Sequence, residues 1–170
     1  VMDRVERIFF TKDYLRYRLT GTWETDHIDA QGSLLFDGAA RQWSAELIEE
    51  LGLPLSAFPP IVPPTAIAGT LTAQAARESG LREGTPVVVG TTDTAVENYS
   101  AGAISPGQGI VKLATAGNVC IMADRPHPIP RGFNYPHGVE GMWYIMAATN
   151  SCASANRWTR DALGRWEVDA

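Results

Sequence analysis

The run Pro86-Val87-Val88-Val89-Gly90 constrains the fold of this chain more than any other stretch. It carries no polar side chain, and consecutive β-branched residues of this kind predict a strand buried on both faces, as in a parallel sheet covered by helices. The run gives way through Thr91-Thr92 to Asp93, after which Thr94 through Gly102 suits a helix. A carboxylate at the carboxyl end of such a strand, beside a helix N-terminus, lies where open α/β sheets place their ligands. Aspartate also caps helices well. The segment by itself therefore leaves capping and catalysis both open for Asp93.

Further along, Gly109 to Thr115 and Asn118 to Met122 read as two strands joined through Thr115-Ala116-Gly117-Asn118. Gly and Asn tolerate positive φ, so the turn chemistry is that of a hairpin. A tip of small side chains lets backbone N–H groups approach a phosphate, and Thr115 adds a hydroxyl. Most such hairpins bind nothing, so this signal gains weight only in company.

In this order and spacing the segments resemble the centre of the FGGY family of carbohydrate kinases, nearest its xylulokinase-like branch. The shared pattern is a strand ending in Gly-x-x-Asp, a helix, a short Gly/Pro connection and a strand–turn–strand hairpin. Lys12 through Gly21 is similar to the family's Lys-x-x-x-x-x-x-Leu-Thr-Gly helix, and Asp26 through Gly32 to its Asp-x-x-x-Ala-x-Gly segment. Phe36 through Leu51 is similar to its Trp-Ser helix, and Met142 to Leu163 to the strand and Ser/Ala-rich helix beyond the hairpin. The likeness runs over nearly the whole chain.

The resemblance implies an α/β architecture of the actin-like (ribonuclease-H-like) ATPase fold, two domains flanking a cleft. Residues 1–103 would be the C-terminal part of the sugar-binding N-terminal domain, and residues 104–170 the beginning of the nucleotide-binding C-terminal domain. Nothing in the chain resembles the family's Asp-x-Gly-Thr phosphate loop or its later Gly-Gly adenosine motif. An internal fragment, inactive alone, is therefore expected.

The implied chemistry is ATP-dependent phosphorylation of a sugar or polyol hydroxyl with Mg2+. By resemblance Asp93 is the catalytic base, touches the substrate and lies near the magnesium shell. Thr94 would contact a substrate hydroxyl, where the family usually carries Asn or Gln. Thr115, Ala116 and Gly117 would hold nucleotide phosphate. The family's Gly-Thr-Ser-Gly turn reads here as Ala114-Thr115-Ala116-Gly117, and its Gly-Gly-Gly-Asp as Gly90-Thr91-Thr92-Asp93. The changes at Thr92, Thr94, Ala114 and Ala116 keep a second expectation alive, a non-catalytic actin-like binding or assembly module with a decayed site. Retention of Asp93, Thr115 and Gly117 weighs against it.

Bulk properties bound the rest. With 45% hydrophobic and 19% charged residues the composition is that of a soluble globular chain. A net charge of −5 argues against a nucleic-acid binder, which needs clustered Lys and Arg. Arg4/Arg7 and Arg16/Arg18 read as helix-surface charges. No apolar run approaches a membrane span, and Val1 through Arg7 lacks a signal-peptide core. Cys120 and Cys152 read as buried reduced thiols, with a cytoplasmic location expected. His27, His127 and His137 lack paired ligand spacing, so no zinc site is expected, and the last two read as solvated loop residues. A homodimer is the oligomer to look for.

Local signals place the remaining elements. Thr11 to Leu19 reads as a helix capped by Thr11, with Leu15 and Leu19 on its apolar face. Residues 22–37 read as irregular or weakly helical. Ser44 caps a helix with Leu47, Ile48 and Leu51 facing inward and Trp43 stapled to Ile48. Pro54 to Pro64 reads as a surface loop, and Thr72 to Ser79 as a helix stopped by Gly80. A Pro-rich stretch from Arg125 to Arg131 leads to a strand at Met142–Ala147, and a last helix starts near Asn150 or Ser151 and stops at Gly164.

Overall fold

A computed structural model describes residues 5–164, and the chain divides into two units, Val1–Val96 and Glu97–Ala170. Arg4 and the residues before it, read above for charge and signal character, lie outside the described residues.

In the first unit the order is α1 (Thr11–Thr20), β1 (Thr25–Asp26), α2 (His27–Gly32), β2 (Phe36–Asp37), β3 (Gln42–Trp43) and α3 (Ala45–Glu50). A single 3-10 turn (Leu55–Ala57), β4 (Ile61–Val62), β5 (Ile67–Thr70), α4 (Ala73–Ser79) and β6 (Pro86–Val88) follow. Helix α5 (Asp93–Ser100) crosses the division. β1 pairs in parallel with β4, while β2 with β3 and β5 with β6 are antiparallel. Ile28, Phe36, Ile48, Phe58, Leu71 and Val89 form the buried apolar centre.

Caps fall where the side chains ask for them. Ser44 accepts the Leu47 N–H, Thr72 accepts the Ala75 N–H, and Gly80 ends α4 in the left-handed region with φ 75°. Each needs only local chemistry: a short oxygen acceptor at one end, and at the other a residue without Cβ.

Several expectations are corrected. Helix α1 starts at Thr11 after Phe10, with no side-chain cap, and its buried face is charged: Asp13 is 1% and Arg16 4% exposed, while Leu15 is 61% exposed. An ion-paired Asp13–Arg16 couple outcompetes the leucine stripe because both charges find partners inside. Within residues 22–37 the short helix α2 bears out the helical part of the expectation, and the strands β1 and β2 are added to it. In α3, Ile48 is buried but Leu47 and Leu51 are exposed. Trp43 stacks on Phe10 and packs against Phe58. The proline-rich stretch is not a simple surface loop, since Ala57, Phe58 and Pro59 are buried and Ile61–Val62 pairs with β1. Proline there only shapes the backbone; the aromatic cluster draws it inward. The apolar run is also different: among the described residues β6 pairs antiparallel with β5 alone, and Val88 is 54% exposed. Apolarity reports how much surface must be covered, and it does not choose the direction of the neighbouring strand.

The second unit is an antiparallel four-stranded sheet in the order β7 (Gly109–Leu113), β8 (Gly117–Ala123), β10 (Trp143–Thr149), β9 (Phe133–Pro136), with α6 (Ala153–Leu163) following β10. The β7–β8 hairpin pairs Leu113 with Gly117 and Gly109 with Ile121. β10 lies between β8 and β9. One face buries Cys120, Met122 and Tyr144, whereas Val111, Leu113, Val119 and Ile121 on the other are exposed. β9 was not anticipated. Its proline is admissible because the strand sits at the sheet edge. His137 is a further correction: it is 2% exposed, with its Nδ1 accepting the Val139 N–H, so turn geometry pulls it under rather than out. Both cysteines are free; Cys120 is buried as expected, whereas Cys152 is only half-buried. Among the described residues no helix is long and apolar enough to cross a membrane.

Candidate functional site

Asp93 opens α5 as its first residue rather than as its cap. Thr92 holds that place: its carbonyl accepts the Val96 N–H at 3.1 Å and its hydroxyl the Ala95 N–H at 3.4 Å. The Asp93 carboxylate is left exposed, with Oδ1 accepting the Thr94 N–H at 2.7 Å. Oδ2 has no hydrogen-bond partner among the described residues. Thr94 lies half-buried beside it, its hydroxyl 3.4 Å from Oδ1. The structure thus brings Asp93 and Thr94 together, and it gives the capping duty to a threonine.

Beneath this strand end sits a network that sequence reasoning missed. The strand exit is held by Val89 N–H to the Ala66 carbonyl and Gly90 N–H to the Pro64 carbonyl, both at 2.9 Å. Arg16 Nη1 donates to the Val89 carbonyl at 2.9 Å and to Asp13 at 2.8 Å, and Nη2 donates to the Glu24 carbonyl. Thr91 Oγ1 donates to Asp26 Oδ1 at 2.8 Å. Asp26 is wholly buried and caps α2 through the Ile28 and Asp29 N–H groups. Lys12 Nζ lies 2.6 Å from Asp13, 2.9 Å from Asp26 and 3.3 Å from Asp29.

Burial works against the Lys12 charge, but Asp26 and Asp13 outweigh it and the pKa is raised. Burial raises the Asp29 pKa, with Asp26 and Asp13 adding to the effect and Lys12 opposing it. Asp26 caps α2 and also carries the loop contact. The signal available was the Lys12-Asp13-x-x-Arg16 spacing, which stacks both partners of an ion pair on one helix face.

In the second unit Thr115 and Ala116 form the exposed tip of the β7–β8 hairpin, and Gly117 is buried at its base. Ala114 N–H donates to the Ala116 carbonyl at 3.0 Å. The start of α6 grips the tip: Cys152 N–H donates to Thr115 O and Ala153 N–H to Ala114 O, each at 2.9 Å. Ser154 Oγ donates to Thr115 O, also at 2.9 Å. The N–H groups of Thr115 and Ala116 have no acceptor among the described residues. Two free donors on a fixed tip suit an anion. Gly117 serves packing, because a methyl there would lie 2.9 Å from Cys152 Cβ and 3.0 Å from its Sγ.

Glu97, four residues after Asp93, is engaged by Lys112 Nζ at 2.6 Å. That pairing fits a structural carboxylate better than a metal ligand. Among the described residues no three His, Cys, Asp or Glu side chains gather as a metal cage.

The model of the FGGY family of carbohydrate kinases, N-terminal domain, matches residues 1–99. Xylulose kinase of Escherichia coli strain K12 is 27% identical over 172 residues, covering 100% of this chain and 35% of that protein. A solved xyloylose kinase from Brucella ovis superposes with TM-score 0.85 at 32% identity, over 95% of this chain and 34% of the other. Xylulose kinase from Rhodospirillum rubrum gives TM-score 0.87 at 28% identity, over 94% of this chain and 33% of the other. The chain spans about a third of the length of the relatives it matches.

Proposed function

The chain belongs to the FGGY family of carbohydrate kinases, and on that premise we propose that it forms part of an ATP-dependent kinase for a ketose or polyol of the xylulose class. The supporting observation is the exposed Asp93 carboxylate at the exit of β6, relieved of capping by Thr92. Residues 1–103 then supply the end of the sugar-binding domain and residues 104–170 the beginning of the nucleotide-binding domain.

Phosphoryl transfer needs alignment, charge neutralisation and a proton acceptor rather than covalent catalysis. Asp93 Oδ2 accepts the proton of the attacking sugar hydroxyl, while Oδ1 stays tied to the Thr94 N–H. Thr94 Oγ1 orients a neighbouring substrate hydroxyl. The Thr115 and Ala116 N–H groups and the Thr115 hydroxyl hold phosphate oxygens. When bound, ATP with Mg2+ would supply the phosphoryl group and neutralise its charge, and Asp93 is the residue of this chain that would hold the ion through water.

The test uses the complete kinase carrying this chain, titrated with ATP–Mg2+ against a panel of ketoses and polyols. Phosphorylation of one of them is expected; binding of neither nucleotide nor sugar would defeat the proposal. A positioned general base contributes about 10²–10⁴-fold. Asp93→Asn is therefore expected to lose rate by that order while its circular dichroism is unchanged, and a folded variant keeping more than about a tenth of the activity would remove the base role.

A further inference from the structure

We propose that Thr91, Asp26 and Lys12, with Arg16 on the Val89 carbonyl, are positioning residues that hold the Asp93 carboxylate in its working pose. The inference rests on the reading of Asp93 as the base. The backbone leaves the β5–β6 ladder at Val88, and its last main-chain anchors are the Val89 and Gly90 N–H groups. Beyond Gly90 the next tether is the Thr91 hydroxyl, reaching across the fold to Asp26 Oδ1 at 2.8 Å.

That acceptor is well fixed. Asp26 is wholly buried, bound by the Ile28 N–H at 2.9 Å, the Asp29 N–H at 3.3 Å and Lys12 Nζ at 2.9 Å on its other oxygen. A hydroxyl donating to an ionised carboxylate is among the stronger hydrogen bonds. The Asp93 carboxylate, by contrast, bonds among the described residues only to its neighbour Thr94. Its direction is therefore set by the backbone of residues 89–92, and that backbone is set by the tether. Where the sequence pattern reads glycine at this position, this chain carries a hydroxyl that has found a buried partner.

The experiment compares Thr91→Val, Thr91→Ser and Asp93→Asn in the complete kinase, with Thr91→Ala replacing valine if that variant does not fold. Misplacing a reacting group by about 1 Å costs on the order of 100-fold. Thr91→Val is accordingly expected to lower kcat by about 10- to 100-fold with the sugar KM within about twofold, the split expected of a transition-state effect. Thr91→Ser, which keeps the hydroxyl, is expected to recover to within about threefold of the parent rate. Hydrogen exchange at the Thr91–Thr94 amides is expected to quicken in the valine variant and not in the serine one. An inactive Asp93→Asn beside a Thr91→Val of unchanged kcat overturns the positioning role and leaves the base intact. Serine as impaired as valine, or a loss confined to KM, overturns it too. An active Asp93→Asn removes the base and this proposal with it.

Discussion

Lys12 holds three aspartates within ion-pair reach in the first unit, while His137 is buried in the second with no ion pair among the described residues. Both titrate with consequences for stability, and in opposite directions. The raised Lys12 pKa means its ion pairs contribute fully below the ordinary value of 10.5 and are lost as pH rises through the folded value. Burial lowers the His137 pKa, so the folded chain binds that proton less well than the unfolded chain. Its contribution is present above the ordinary value of 6.5 and is lost as pH falls through the depressed one. Melting followed from pH 7 to pH 5 should therefore show a falling midpoint in the parent. His137→Asn can still accept the Val139 N–H, and its acid-side fall should be visibly shallower; equal slopes would mean that His137 does not carry the effect.

The hairpin and α6 show how one element constrains another. Leu113 and Gly117 close the ladder, and the first residues of α6 clamp the tip through Thr115 O and Ala114 O. Gly117 lies too close to Cys152 for any side chain, with the Lys112 carbonyl 3.2 Å from where a methyl would sit. Overpacking of this kind costs about 1–3 kcal/mol. Gly117→Ala should be destabilised by that order in urea denaturation, and Cys152→Gly should restore much of the loss by removing both close atoms. Failure of the double variant to recover would place the strain at the Lys112 carbonyl instead. The hairpin itself was legible, because small turn residues between β-branched runs have few other uses. The grip of α6 on the tip was not legible, since it joins segments far apart in sequence.

Each unit leaves apolar surface uncovered. In the first, Ile67 and Val88 are exposed on paired strands; in the second, Val111, Leu113, Val119 and Ile121 share one sheet face. On the latter face Val111, Leu113, Val119, Ala147 and Cys152 line a shallow depression of about 230 Å³. Contiguous apolar faces of this kind are uncommon on monomers. The 170-residue chain should therefore bind a hydrophobic fluorescent dye strongly. Leu113→Lys with Val119→Lys should cut that signal while far-UV dichroism stays unchanged; an unaltered signal would locate the dye elsewhere.

Local chemistry alone determined the features that depend on neighbours in the chain: the Ser44 and Thr72 caps, the Gly80 stop, the hairpin turn and the passage from an apolar run into Asp93. These were readable because a cap or a turn needs only a few adjacent residues. Pairing partners, strand direction and burial came from contacts between distant segments. Folding set β6 antiparallel to β5, buried Asp13 and Arg16 in place of Leu15, and drew His137 beneath the sheet edge. It also joined Thr91 to Asp26 across the first unit. A charge or hydroxyl can be buried only where a partner waits for it, and a partner many residues away leaves no periodic mark in the sequence.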